Sequence, residues 1–193
     1  MSISIIVPHQ NKRQEMFIEM MDSIKQQTLQ PLEIIEMVGE DYPMKRINAG
    51  IKKAKGNYIL VLSDDDKLHP RFLEITNSYM ENNDIVGTFI QQFGDLDGYH
   101  GPEKHPFFSS LFRKSMWEQV GGFDENMKQL SDIDFWIKCL KSGARWQTVP
   151  GTFYYYRVHE VQDSKNIANK TIIKEFINRH NFNPYDFSFN TND

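Results

Sequence analysis

Three consecutive carboxylates, Asp64, Asp65 and Asp66, follow the apolar run Asn57-Tyr58-Ile59-Leu60-Val61-Leu62 after a single serine, Ser63. Three adjacent negative charges repel one another, and none is cheaply taken from water unless something positive faces it. Asp is also an ordinary turn and helix-cap residue, so a solvated loop is the simplest reading of the triplet alone. Its position points elsewhere. The preceding run is rich in β-branched, aromatic and aliphatic residues and does not alternate, which suits a central strand buried on both faces. In open α/β sheets, ligands bind beyond the carboxyl ends of such strands. Hard cations such as Mg²⁺ or Mn²⁺ take oxygen ligands, commonly one or two carboxylates together with substrate phosphates. The triplet therefore predicts a divalent metal holding a phosphate-bearing ligand. A second acidic stretch, Ser131-Asp132-Ile133-Asp134, opens a helical pattern. It reads equally as a helix cap with an acidic first turn and as a carboxylate placed for catalysis. His159, taken alone, reads as a surface histidine.

The elements that must position these groups alternate in type. Strands are predicted over 2–7 (ended by Pro8), 32–38, 57–62 and 85–93. Helices are predicted over 12–27, 44–55 and 70–82, the second stopped by Gly56. This alternation predicts an α/β fold, a mostly parallel central sheet with helices on both faces. The second half is less regular. Residues 91–106, with Gly94, Gly98, Gly101 and Pro102, read as a long loop. A short helix over 114–120 is broken by Gly121-Gly122. A helix over 131–142 stops at Gly143, a tyrosine-rich strand spans 152–158, and a last helix spans 164–180.

Composition narrows the function classes. A chain of 193 residues with 39% hydrophobic and 25% charged residues suits one globular domain. A net charge of −4 and the lack of a basic tract weigh against binding nucleic acid through phosphate neutralisation. The single cysteine, Cys139, excludes an intrachain disulfide framework and a cysteine-based zinc site, and its apolar helical setting predicts a buried thiol. No apolar segment reaches membrane-spanning length, and the first strand begins within three residues of the start, so a soluble cytoplasmic protein without a transmembrane anchor is expected.

Several stretches fall in one order over about 160 residues: Ser4-Ile5-Ile6-Val7-Pro8, the run 46–66, Val120-Gly121-Gly122-Phe123-Asp124-Glu125, Ser131-Asp132-Ile133-Asp134-Phe135-Trp136-Ile137-Lys138 and Tyr156-Arg157-Val158-His159. The ordered set resembles the family 2 glycosyltransferases, inverting enzymes with the nucleotide-sugar-binding GT-A fold. The resemblance implies a catalytic domain over residues 1–163, with a C-terminal helix and tail over 164–193 packed on it. It implies that the loop carrying Pro8 and Asn11 borders the nucleotide, with Arg46 and Asn48 contributing to donor binding. The third strand matches the family's DXD pattern, with Asp65 at the metal position and Asp66 just after it as a further metal candidate. Ser63 stands where the family has its first acidic residue, and Asp64 is placed to supply that charge on the donor side. After the second strand the family often carries Asp-Asp-Gly-Ser, whereas this chain has Val38-Gly39-Glu40-Asp41, leaving Asp41 as a displaced candidate for reading the base. The glycine pair shapes the acceptor side. Asp132 maps to the general base, with Ser131 replacing the family's Glu, and His159 faces the metal or the pyrophosphate. Trp136 and the aromatic run 153–156 are expected to pack in the core.

The expected reaction moves a sugar from a nucleotide-diphosphate donor, a UDP-sugar first among the candidates, to an acceptor hydroxyl with Mn²⁺ or Mg²⁺ as cofactor. The acceptor stays open among a glycan, a lipid carrier, a protein and a modified nucleic acid. Two other readings stay open. A sugar-phosphate nucleotidyltransferase would need a Gly-rich basic loop after the first strand, and the stretch 8–14 has basic residues but no glycine. A non-catalytic nucleotide- or glycan-binding GT-A-like domain would account for Ser63, Ser131 and the altered 38–41 stretch.

Overall fold

The computed structural model describes residues 2–95, 98–100, 108–127, 129–159 and 170–181. The first half alternates as the apolar patterns require: β1 (Ile3–His9), α1 (Gln14–Lys25), β2 (Glu33–Val38), α2 (Pro43–Lys53) and β3 (Tyr58–Val61). Then come β4 (Lys67–Leu68), α3 (Phe72–Tyr79), β5 (Ile85–Gly94), β6 (Gly98–His100), β7 (Leu111–Arg113), α4 (Lys114–Val120), α5 (Ser131–Lys141), β8 (Trp146–Val158) and α6 (Lys170–His180).

The strands form one mixed sheet in the order β2-β1-β3-β7-β5-β8-β4, with β6 added alongside β5. The long ladders, β1 with β2, β1 with β3 and β5 with β8, are parallel; the short ones are antiparallel. Strands β1 and β3 are covered on both faces, which explains their unbroken apolar runs. Ile5, Val7 and Leu60 face a core shared with Met20 and Ile24 of α1 and Phe72 of α3. Ile6, Ile59 and Val61 face a second core with Ile47 and Ile51 of α2 and Phe135 and Trp136 of α5. A smaller apolar contact, Phe176 with Ile137, sets α6 against α5. The chain leaves β1 for β2 on one side and returns to β3 on the other, so the connections diverge at the carboxyl ends of β1 and β3. In open α/β sheets, ligands bind at such a divergence.

Three expectations change. Strand β1 runs through Pro8 to His9 instead of stopping before it. The Ile3 and His9 carbonyls accept from Leu32 and Gly39 on the β2 side, and the Ile6 carbonyl accepts from Leu62 on the β3 side. Alternation turns Pro8 towards β3, past the last pairing of Ile6 with Val61, where no backbone donor is needed. Strand β8 starts at Trp146, not at residue 152, because Pro150-Gly151 is absorbed as an irregularity opposite Thr88 and Phe89. Part of the predicted 91–106 loop is strand: β5 reaches Gly94, and β6 pairs with it. Residues 96–97 and 101–107 lie outside the described residues, as do 164–169 of the expected last helix. Cys139 is buried as expected, and burial pushes its thiol up to about 12. Among the described residues, no helix is long and apolar enough to cross a membrane.

Candidate active site

The triplet leaves the carboxyl end of β3 and turns at once into β4, which pairs with Tyr154 and Tyr155 of β8. The β4–β8 pairing lays the end of β8 against residues 65–66, and the three carboxylates have different surroundings. Asp66, a metal candidate in the sequence, points into the protein. It accepts from the Tyr154 hydroxyl at 2.5 Å and the Arg157 backbone N–H at 2.7 Å. Burial, reinforced by the charge on Asp65, pushes its carboxyl well above the usual range. Burial and the Asp66 charge likewise raise the Tyr154 phenol, whose oxygen also accepts from Ser109 at 2.8 Å. The tyrosine strand thus packs, as expected, and it also anchors the triplet.

Asp64 and Asp65 are buried and meet a residue that pattern reading missed, Arg13. Its Nη1 donates to Asp65 Oδ2 at 2.6 Å, and its Nη2 donates to Asp64 Oδ1. Burial raises the Asp64 carboxyl, with Arg13 opposing and Asp65 reinforcing the shift. His159 joins the same point: its Nε2 lies 3.0 Å from Asp65 Oδ2 and 3.3 Å from Arg13 Nη1. The signal for Arg13 lay in the triplet, whose charges required a partner, and in the basic stretch 12–13 just after β1.

Behind this cluster, Arg157 donates to the Asp65 carbonyl at 2.7 Å and to Glu19 at 2.8 Å. Arg157 and Lys67 each lie 4.4 Å from the ring centre of Phe93, and Lys67 also reaches Glu19. Hydrogen bonding to Arg157 holds the Glu19 carboxyl below its ordinary value.

Asp65 Oδ2 and His159 Nε2 lie 3.0 Å apart, a hydrogen-bonding contact. Carboxylate and imidazole are both metal-ligand types, so this pair could supply two donors to a divalent cation. Among the described residues, no group of three or more His, Cys, Asp or Glu side chains converges as a metal site. Phosphate oxygens and water would complete the coordination.

The remaining predicted residues divide between two places. Pro8 and Asn11 lie at the end of β1, with Asn11 in the left-handed conformation (φ 59°). Arg46 is buried and braces this edge from below, donating to the His9, Met37 and Asp41 carbonyls, while its Nε lies 3.1 Å from the half-exposed Asp41 carboxylate. Asn48 does not join the cluster. It donates to the Phe123 carbonyl and Glu125, and accepts from Trp117 Nε1 and the Phe123 N–H. It therefore fixes the turn after Gly121 and Gly122, whose φ values are 79° and 76°. A Cβ at Gly122 would lie 2.8 Å from Trp117 Nε1 and 2.9 Å from Asn48 Oδ1, so the close approach requires glycine. An open cavity of about 660 Å³ beside this turn is lined by Lys52, Trp117, Asp124 and Lys138 among others, and not by the triplet.

Asp132 is half-buried in the first turn of α5. Leu130 before it has a left-handed φ of 61°, an uncommon conformation for a non-glycine residue. The buried Ser131 hydroxyl lies 3.2 Å from the Tyr42 hydroxyl, next to Asp41, so the start of α5 faces the β2–α2 connection. Trp136 packs in the core as expected.

Comparison with known proteins bears on family and fold. The chain is 25% identical to the uncharacterized glycosyltransferase YwdF of Bacillus subtilis, across 93% of this chain and 82% of that protein. It is 28% identical to the uncharacterized glycosyltransferase MJ1057 of Methanocaldococcus jannaschii, across 58% of this chain but only 45% of that protein. The crystal structure of S. aureus TarS 1-349 in complex with UDP-GlcNAc superimposes with a TM-score of 0.74 at 16% identity, covering 92% of this chain and 67% of that one, a likeness of fold. The sequence profile of Glycosyl transferase family 2 matches residues 42–141, from the β2–α2 connection through the triplet to the end of α5, and the chain belongs to that family.

Proposed function

We propose that this glycosyltransferase is metal-dependent and inverting, moving a sugar from a nucleotide-diphosphate donor to an acceptor hydroxyl. The observation that carries this reading is the convergence of Asp65, His159 and Arg13 beyond the carboxyl end of β3. In this reading Asp65 and His159 hold Mn²⁺ or Mg²⁺, with Asp64 adding negative charge beside them. When bound, the cation stabilises the charge that develops on the departing nucleoside diphosphate. Asp66 holds the turn in place through Tyr154 and Arg157. Pro8, Asn11 and Asp41 line the nucleotide side, with Arg46 bracing their backbone; UDP is the first nucleotide to test, since TarS has been crystallised with UDP and UDP-GlcNAc.

An acceptor hydroxyl ionises far above neutral pH and needs a base as it attacks the anomeric carbon. Asp132 takes that proton in this reading, carried in the first turn of α5, next to Ser131, whose hydroxyl meets Tyr42 of the β2–α2 connection. Attack from the face opposite the leaving diphosphate, in one displacement, inverts the anomeric centre. The test is hydrolysis of a panel of nucleotide-sugars with Mn²⁺ and no acceptor. Slow release of the nucleoside diphosphate from one donor is expected. Nucleotide binding without turnover, with or without candidate acceptors, would instead identify a binding domain.

A further inference from the structure

Arg13 lies against both side chains that would hold a cation. Its Nη1 holds Asp65 Oδ2, the same oxygen that His159 Nε2 approaches, and lies 2.6 and 3.3 Å from the two donors. A guanidinium nitrogen and a metal ion cannot share that point. Two further observations show that Arg13 is placed to leave. Its side chain is 33% exposed, whereas those of Asp64 and Asp65 are 4% and 11% exposed. Among the described residues, its side-chain hydrogen bonds all go to this cluster, whereas Arg157 is also tied to Glu19 and stacked on Phe93. Arg13 lies on the short irregular segment between β1 and α1, just after the left-handed Asn11.

We infer that Arg13 is an exchangeable internal cation: it neutralises Asp64 and Asp65 in the donor-free protein, yields Asp65 and His159 to the divalent metal, and then binds the donor's diphosphate. Guanidinium suits both tasks, because its planar fork matches a carboxylate pair and phosphate oxygens alike. The exchange rests on the metal-dependent reading above. It predicts weak binding of metal alone, because apparent affinity falls by the fraction of molecules in which the site is free. If Arg13 leaves the pair in about a tenth of molecules, metal binding is weakened about tenfold.

The test titrates Mn²⁺ alone into the full chain and follows free Mn²⁺ by its electron paramagnetic resonance signal. Arg13→Gln should bind Mn²⁺ about tenfold more tightly than the wild type. Adding Asp65→Asn to it should abolish that gain. UDP affinity at saturating Mn²⁺ should move the opposite way and weaken in Arg13→Gln. A merely structural Arg13 would not give these opposite signs. Unchanged or weaker Mn²⁺ binding by folded Arg13→Gln would overturn the inference. Should that variant fail to fold, Arg13→Lys carries the test: it keeps the charge but lacks the fork, so its Mn²⁺ affinity should exceed that of the wild type, and equal affinity would overturn the inference. Metal-dependent UDP binding by the wild type, measured in parallel, keeps failure here distinct from failure of the functional reading.

Discussion

Two acidic groups in this molecule are balanced in different ways. At the end of β3, Asp64 and Asp65 share one guanidinium, Arg13, while the Arg157 side chain reaches the Asp65 carbonyl and Glu19. Between α5 and α6, Asp124 and the fully buried Asp134 share two full cations. Arg179 reaches both, at 2.6 and 3.2 Å, and Lys138 lies 3.0 Å from Asp134 Oδ2 while donating to the Gly122 carbonyl. His180 adds a contact to Asp134 Oδ1 at 2.9 Å. Among the described residues, the first group is short of positive charge; the second is balanced and ties α6 and the glycine turn to α5. Excess negative charge marks where an external cation can bind. Balanced charge holds elements together. The Asp134 cluster therefore acts as scaffold for α5, which carries Asp132, the base in the proposed reaction.

The largest expected effect comes from the group that the scaffold presents. Asp132→Asn keeps the size and removes the base, so transfer should fall by about a hundredfold to ten-thousandfold while metal-dependent nucleotide binding survives. Near-normal transfer by the folded variant would leave Asp132 as no more than an acidic residue in the first turn of α5. Asp65→Asn should lower transfer by about a hundredfold to a thousandfold, as removal of transition-state charge stabilisation typically does. Its nucleotide affinity should also lose its dependence on metal, read by calorimetry with and without Mn²⁺. Stability should change little, because one of three crowded charges is removed.

Asp134→Ala should show the reverse pattern. Loss of the shared acceptor should cost about 1–3 kcal/mol in denaturant unfolding, since His180 loses a buried partner while Lys138 and Arg179 can still reach water. Nucleotide affinity should be unchanged; a loss matching that of Asp65→Asn would erase the distinction between the two clusters. The smallest effect concerns pH. Burial lowers the His180 pKa below its ordinary 6.5, against the pull of Asp134 and with Lys141 and Arg179 adding to the decrease. The unfolded chain therefore takes up this proton first as pH falls. His180 should contribute stability above pH 6.5 that is lost as pH drops through its lower folded value. Replacing His180 with Asn should flatten that part of the stability profile, measured by unfolding at a series of pH values.

Much of this division was legible in residue patterns. The unbroken apolar run of β3 and the carboxylates after it pointed to the end of that strand, where Arg13 and His159 meet them, because burial on both faces and charge at a strand end are local signals. The helices α2, α4 and α5 were legible from periodicity and from glycine stops. What escaped depends on contacts distant in sequence. Arg13 meets Asp65 across 52 positions, and Tyr154 meets Asp66 across 88. Neither pairing leaves a periodic trace. Asn48 shows the same limit: the ordered motifs pointed to the donor, whereas its hydrogen bonds go to the turn 75 residues away. The short strands β4 and β7 have too few residues for alternation to register and exist through pairing with longer neighbours.

The proposed reaction depends most on a cation held at Asp65 and His159 that brings in the diphosphate. Calorimetric titration of UDP into the full chain, in Mn²⁺ and again in excess chelator, tests this directly. The account predicts binding at least about tenfold tighter with Mn²⁺, a difference of about 1.4 kcal/mol. Equal affinity in the two conditions would contradict it.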